Sequence, residues 1–179
     1  MNAITIGSTG AVGRDLLTVL ASDPAYERVD VLFSSLGTSK KQAGGKGQQW
    51  RVDHDYQLTA AKAARANGVP KMVVVSSVGA DPASSFFYLR MKGEIESDLQ
   101  ALTFPSLTIL RPPSLIRHPA KRLTETLSVK ALQALNAVGL FKRMKPMPTL
   151  DVPRAMAHLA QDEAQGMNIV SGQDILFHR

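Results

Sequence analysis

The chain has 179 residues, 44% of them hydrophobic and 20% charged, a balance that fits one soluble globular domain with a sizeable core. It contains no cysteine, which excludes a disulfide scaffold and thiolate chemistry and fits a reducing compartment, read here as the cytoplasm. The net charge is +6 with a pI near 9.8, but Arg117, Lys121, Arg122, Lys130, Lys142, Arg143 and Lys145 cluster without interleaved aromatic residues. They read as a solvated face, and no nucleic-acid partner is expected.

The run before Gly7 lacks a basic leader, so no signal peptide is expected. No stretch approaches the ~20 apolar residues of a membrane span, and no membrane partner is expected. Residues 3–6 form a short β-branched and apolar run, read as a buried strand. Residues 11–22 read as a helix with Val12, Leu16, Leu17, Val19 and Leu20 on one face, ended by Asp23-Pro24. A second apolar run, Val29 to Leu36, is closed by Gly37. Residues 38–50 are polar and glycine-rich and read as a loop, with Trp50 as an anchor. A helix over 52–67 stops at Asn67-Gly68 and Pro70. Residues 72–76 read as a fully buried strand, 86–102 as a helix and 106–110 as a strand. Helices follow over 121–140 and 151–161, the second with Asp151 as N-cap. A last strand lies near 167–170. Strands alternating with helices imply βαβ units and a parallel sheet.

Gly7-Ser8-Thr9-Gly10-Ala11-Val12-Gly13 sits between the first strand and the first helix. There Gly7 permits the sharp turn, Gly10 lets backbone approach a pyrophosphate, and Gly13 lets the helix pack on the sheet. The helix N-terminus near Ala11 offers free N–H groups to the phosphates. The motif in this place predicts dinucleotide binding and an α/β fold of Rossmann type. The expected architecture is a doubly wound parallel sheet in three layers, one domain, with residues 113–150 as a small substrate cap. Arg14 beside the turn could meet a 2′-phosphate or be an exposed helix residue, so NADP(H) is favoured over NAD(H) by a small margin.

Tyr88 and Lys92 are four apart on a predicted helix and share a face. A nearby ammonium would lower the tyrosine pKa from ~10 and fit it for acid–base work. Lys92 could also reach a nicotinamide ribose hydroxyl. Ser77, at the end of the strand 72–76, could hold a substrate oxygen; Ser76, Ser84 and Ser85 compete for that role. His54, His118, His158 and His178 are scattered without ligand spacing, so no metal site is expected.

Together, Ser76-Ser77-Val78-Gly79-Ala80-Asp81 and Phe86 to Glu96 resemble the atypical short-chain dehydrogenases of the Tat-interacting protein group and its NmrA-like relatives. Ser34-Ser35-Leu36-Gly37-Thr38, Arg51-Val52-Asp53-His54-Asp55-Tyr56 and Leu110-Arg111-Pro112 add to the resemblance, which covers most of the chain. It implies an NADP(H)- or NAD(H)-binding protein. Gly7, Ser8, Thr9, Gly10, Val12 and Gly13 would line the pyrophosphate, and Leu36, Gly37 and Thr38 would edge the cofactor ribose. Tyr88 and Lys92 would be the active pair, and Pro112 would sit near the nicotinamide.

Members of that group carry a second strand, a helix and a third strand before the Ser-Ser-Leu-Gly-Thr segment. Here Val29-Asp30 joins what reads as the end of one strand to the start of another. A parallel connection needs a dozen or more residues. Either the natural protein lacks these elements or a stretch is absent near 28–31; the second is favoured, and it predicts a chain break there. The implied function is an NAD(P)H-dependent oxidoreductase acting on a small carbonyl or alcohol, as a monomer or homodimer. The alternative is a non-catalytic nicotinamide-nucleotide sensor that binds a protein partner.

Overall fold

A computed structural model describes residues 3–7, 30–116 and 145–179. Five strands form one parallel sheet in the order β1-β2-β3-β4-β7. They are β1 (Ala3–Ile6), β2 (Val31–Ser34), β3 (Lys71–Val75), β4 (Ser106–Arg111) and β7 (Gly166–Ser171). A separate pair, β5 (Leu115–Ile116) and β6 (Met147–Pro148), is also parallel. This pair joins the two ends of chain that flank residues 117–144, which hold most of the expected cap and lie outside the described residues.

The strand sequences explain the layering. Val31, Leu32, Phe33 and Ser34 are all buried, as a strand covered on both faces requires. Because side chains alternate, Val31, Phe33, Val73, Leu110 and Val170 face one layer, packing on Val152, Ala155, Met156, Leu159 and Ala160. Leu32, Met72, Val74, Leu107 and Ile109 face the other, packing on Ala61, Ala64, Ile95, Leu99 and Phe104. Helix α5 (Asp151–Gln161) covers the first face, while α3 (Tyr56–Ala66) and α4 (Phe87–Ala101) cover the second. The result is a three-layer, doubly wound α/β fold of Rossmann type.

Several boundaries differ from the sequence reading. Residues 38–50 hold two short helices, α1 (Lys40–Ala43) and α2 (Lys46–Trp50). Ser39 caps α1, its Oγ accepting from Gln42 N at 3.3 Å, and Gly44 ends it at φ +86. The glycines that suggested a loop act as stops between helical turns. A π turn, Arg51–Asp55, then leads directly into α3. Asp151 is the first residue of α5, preceded by Leu150 at the cap, so it is not the N-cap; its buried Oδ1 accepts instead from Arg179 Nη1 at 3.4 Å.

The 29–36 run yields one strand, and it lies directly beside β1, Ala3 opposite Val31. The separate strand expected to end near Val29 falls outside the described residues. Residues 28 and 29, at the centre of the expected break, lie outside the described residues, as do the predicted helices over 11–22 and 121–140.

Candidate active site

All five sheet strands run the same way, so their carboxyl ends form one rim, where ligands settle in open α/β sheets. Gly7 leaves β1 at φ +84. A Cβ on it would stand 2.5 Å from Leu36 N and 2.6 Å from Ser35 C, so only glycine lets the first two strand exits touch. Ser8, Thr9, Gly10, Ala11, Val12 and Gly13 lie outside the described residues.

Leu36, Gly37 and Thr38 follow β2 on this rim and are held from one side. Thr38 N donates to Asp53 Oδ1 at 2.7 Å, and Gln49 Nε2 donates to the Thr38 carbonyl at 3.0 Å. Asp53 sits in the π turn and is 1% exposed. The wider turn directs two consecutive residues inward, for His54 is buried too. The His54 ring stacks on Trp50 at 4.7 Å and lies 3.0 Å from Asp55 Oδ1 and 3.2 Å from Asp98 Oδ2. Trp50 is thus a helical stacking partner and not a loop anchor. Single π turns of this kind occur frequently at functional sites.

The exit of β3 is stitched to that of β4. Ser76 N donates to the Leu110 carbonyl at 2.7 Å and Val78 N to the Pro112 carbonyl at 3.1 Å. Pro112 is buried against this turn. Ser77 Oγ donates to the Val78 carbonyl at 3.3 Å and lies close enough to the Tyr88 phenol to lower its pKa, while Ser76 Oγ is buried without a partner among the described residues. Ser84 serves the start of α4, its Oγ accepting from Phe86 N at 3.2 Å. Among the four serines, Ser77 is the one this geometry brings to Tyr88.

Lys92 shares the α4 face with Tyr88, but the electrostatics differ from the sequence expectation. The Tyr88 phenol is pushed above its ordinary 10.0, chiefly by desolvation, then by the Asp53 charge, against a lowering hydrogen bond from Ser77. The expected lowering by Lys92 is corrected: Lys92 is not among the causes that move the phenol, and its own side chain feels the charges of Asp53 and Glu96. Burial depresses the Lys92 pKa, while the charges of Asp53 and Glu96 oppose that shift. The Asp53 carboxyl is itself raised, by burial first, with Lys92 and the Thr38 N–H lowering it. Glu96 also holds Arg111, whose Nε donates to Oε1 at 3.0 Å and to Oε2 at 3.2 Å. The guanidinium pKa rises in consequence.

Asp53, Gln49, Glu96 and Arg111 were not singled out as site residues from the sequence. Glu96 stands four residues past Lys92, and that spacing alone could have flagged it. Nothing in composition or periodicity marks Asp53, because a single π turn leaves no hydropathy signature.

This arrangement can donate a proton. The phenol is protonated at neutral pH, a hydroxyl stands beside it, and a buried ammonium lies one helical turn away. Gly7, Leu36, Gly37, Thr38 and Pro112 line the same rim, where a nucleotide cofactor could rest.

The HIM1 family description matches residues 13–145. The chain is 32% identical to protein FMP52-1, mitochondrial, of Scheffersomyces stipitis, over 90% of this chain and 89% of that one. It is 37% identical to protein FMP52, mitochondrial, of Saccharomyces cerevisiae, over 82% of this chain and 66% of that protein's length. The first alignment runs over 201 positions, more than the 179 residues of the chain, so that relative holds residues this chain lacks within the aligned span. Among solved structures, MoeE5 in complex with UDP-glucose and NAD superposes with a TM-score of 0.69 at 15% identity, covering 98% of this chain and 79% of that one. A dTDP-4-dehydrorhamnose reductase from Clostridium acetobutylicum superposes at 0.66 and 15% identity, over 96% and 74%. These structures share the Rossmann-type fold.

Two expectations are corrected. The sequence kinship lies with HIM1 and FMP52 proteins and not with NmrA-like regulators. The cytoplasmic placement is overturned by relatives named mitochondrial; an absence of cysteine fits any reducing compartment and cannot choose among them.

Proposed function

The chain belongs to the HIM1 family, and on that premise we propose that it is a nicotinamide-nucleotide-dependent oxidoreductase of the atypical short-chain dehydrogenase type, acting on a small carbonyl or alcohol. The placement of Ser77 just beyond β3 and of Tyr88 and Lys92 on one face of α4 carries this reading. It lies on the rim that also bears Gly7 and the Thr38 loop. The described residues fit a dinucleotide. Gly7 turns out of β1 at φ +84 against the Leu36 backbone, and Ser76 Oγ is a buried hydroxyl without a partner among the described residues.

A reduced nicotinamide, when bound, supplies the hydride. Ser77 orients the substrate oxygen, and Tyr88 delivers a proton to that oxygen as the carbon is reduced. Tyr88 is 41% exposed, so solvent can return its proton. Lys92, one turn along the same helix face, would hold a nicotinamide ribose hydroxyl, and Asp53 acts as a positioning residue through its charge on Lys92 and the hydrogen bond it accepts from the Thr38 amide. The kinship with FMP52 proteins supports a mitochondrial setting.

The test is titration of the purified chain with NADH and NADPH, then turnover on a panel of small carbonyls and nucleotide sugars. The reading expects saturable binding of one nucleotide. It also expects a Tyr88→Phe variant to bind that nucleotide but lose about 100-fold or more of the turnover, the scale of general acid–base catalysis. Binding without turnover on any substrate would favour a sensor, and no association with either nucleotide would overturn both readings.

A further inference from the structure

We propose that His158, Asp162 and His178 form a site for a divalent transition-metal ion of the zinc type, at the rim opposite the candidate active site. His158 lies in the last turn of α5 and Asp162 is the residue that caps its end. His178 ends the 3-10 segment Gly172–His178. The fold brings one donor atom from each of the three to within 4.8 Å of the others, and the two imidazole rings stand 5.9 Å apart.

Metal–ligand distances of ~2.0–2.2 Å require donors somewhat closer together than this. His158 and Asp162 are exposed and His178 is half-buried, so side-chain rotation can close the gap. Two imidazoles and a carboxylate form a nitrogen–oxygen set that suits zinc and its neighbours better than magnesium or calcium. Water would complete the coordination on the exposed side. The backbone under the site is fixed, since Lys71 Nζ donates to the Asp162 carbonyl at 2.7 Å and the Ala160 carbonyl at 3.1 Å.

Lys71 opens β3, whereas Ser77 lies just beyond its end. The cluster is therefore at the amino rim of the sheet, and the ion binds there as a structural link. It joins the end of α5 to the segment 172–178.

Chelator-treated protein titrated with zinc chloride, followed by calorimetry and thermal unfolding, tests this, with magnesium chloride as the control. The site predicts one equivalent of zinc bound and a Tm that rises with zinc and saturates. Magnesium should leave the Tm unchanged. His178→Ala and Asp162→Asn should each weaken zinc binding by about 10-fold or more. Zinc-free melting of both variants should match the parent, which checks that they fold. Absence of saturable binding, or zinc bound by both variants as tightly as by the parent, overturns the proposal.

Discussion

Asp53 is one carboxylate with three neighbours that matter: the Thr38 amide, Lys92 and the Tyr88 phenol. Its charge is among the causes that hold the phenol above 10.0. A group whose folded pKa is raised loses its favourable contribution as pH climbs through that value. The folded chain should therefore lose stability from this residue as pH rises above 10, and not below. Asp53→Asn keeps an acceptor for Thr38 but removes the charge. The ultraviolet titration of Tyr88, isolated by difference against Tyr88→Phe, should then move to lower pH; an unchanged midpoint would contradict this assignment. That Tyr88 and Lys92 share one helix face and that Ser77 follows a strand end was legible in the sequence. Their charge balance was not, since the counter-charge comes from a residue about 40 positions away.

Helix α4 has its own constraint. A Cβ on Gly93 would fall inside the van der Waals radii of Pro82 N and Asp81 C, so the helix rests directly on that turn. The contact is tightened by Asp81 N donating to the Leu89 carbonyl at 3.1 Å. Gly93→Ala should push α4 off the turn and destabilise the chain by about 1–3 kcal/mol, the range for overpacking. A lowered Tm together with weakened turnover would show it; wild-type values for both would refute the fit. The spans of α4, α5 and the buried strands were readable because long periodic or uniformly apolar runs admit few alternatives. The short helices over 40–50 and the π turn were not, because a few residues carry too little periodicity to distinguish a helix from a loop.

At the scale of the whole molecule, two cores share one sheet. Met156 is 0% exposed in the α5 layer, packed among residues from β2, β3, β4 and β7. Met156→Ala should cost about 2–5 kcal/mol, read as a lower urea midpoint, with no direct effect on nucleotide affinity in the folded fraction. The parallel sheet was legible from strand–helix alternation. The direct pairing of β1 with β2 was not, because neither short apolar run carries a signal for its neighbour in the sheet. The uniform strand direction has a further consequence. Loops such as Ala66–Gly68 enter strands at the far rim; these three residues are exposed, and Gly68 has open space around it. Lineages of this chain can lengthen or recolour such entry loops freely, and the chemistry opposite would never register the change.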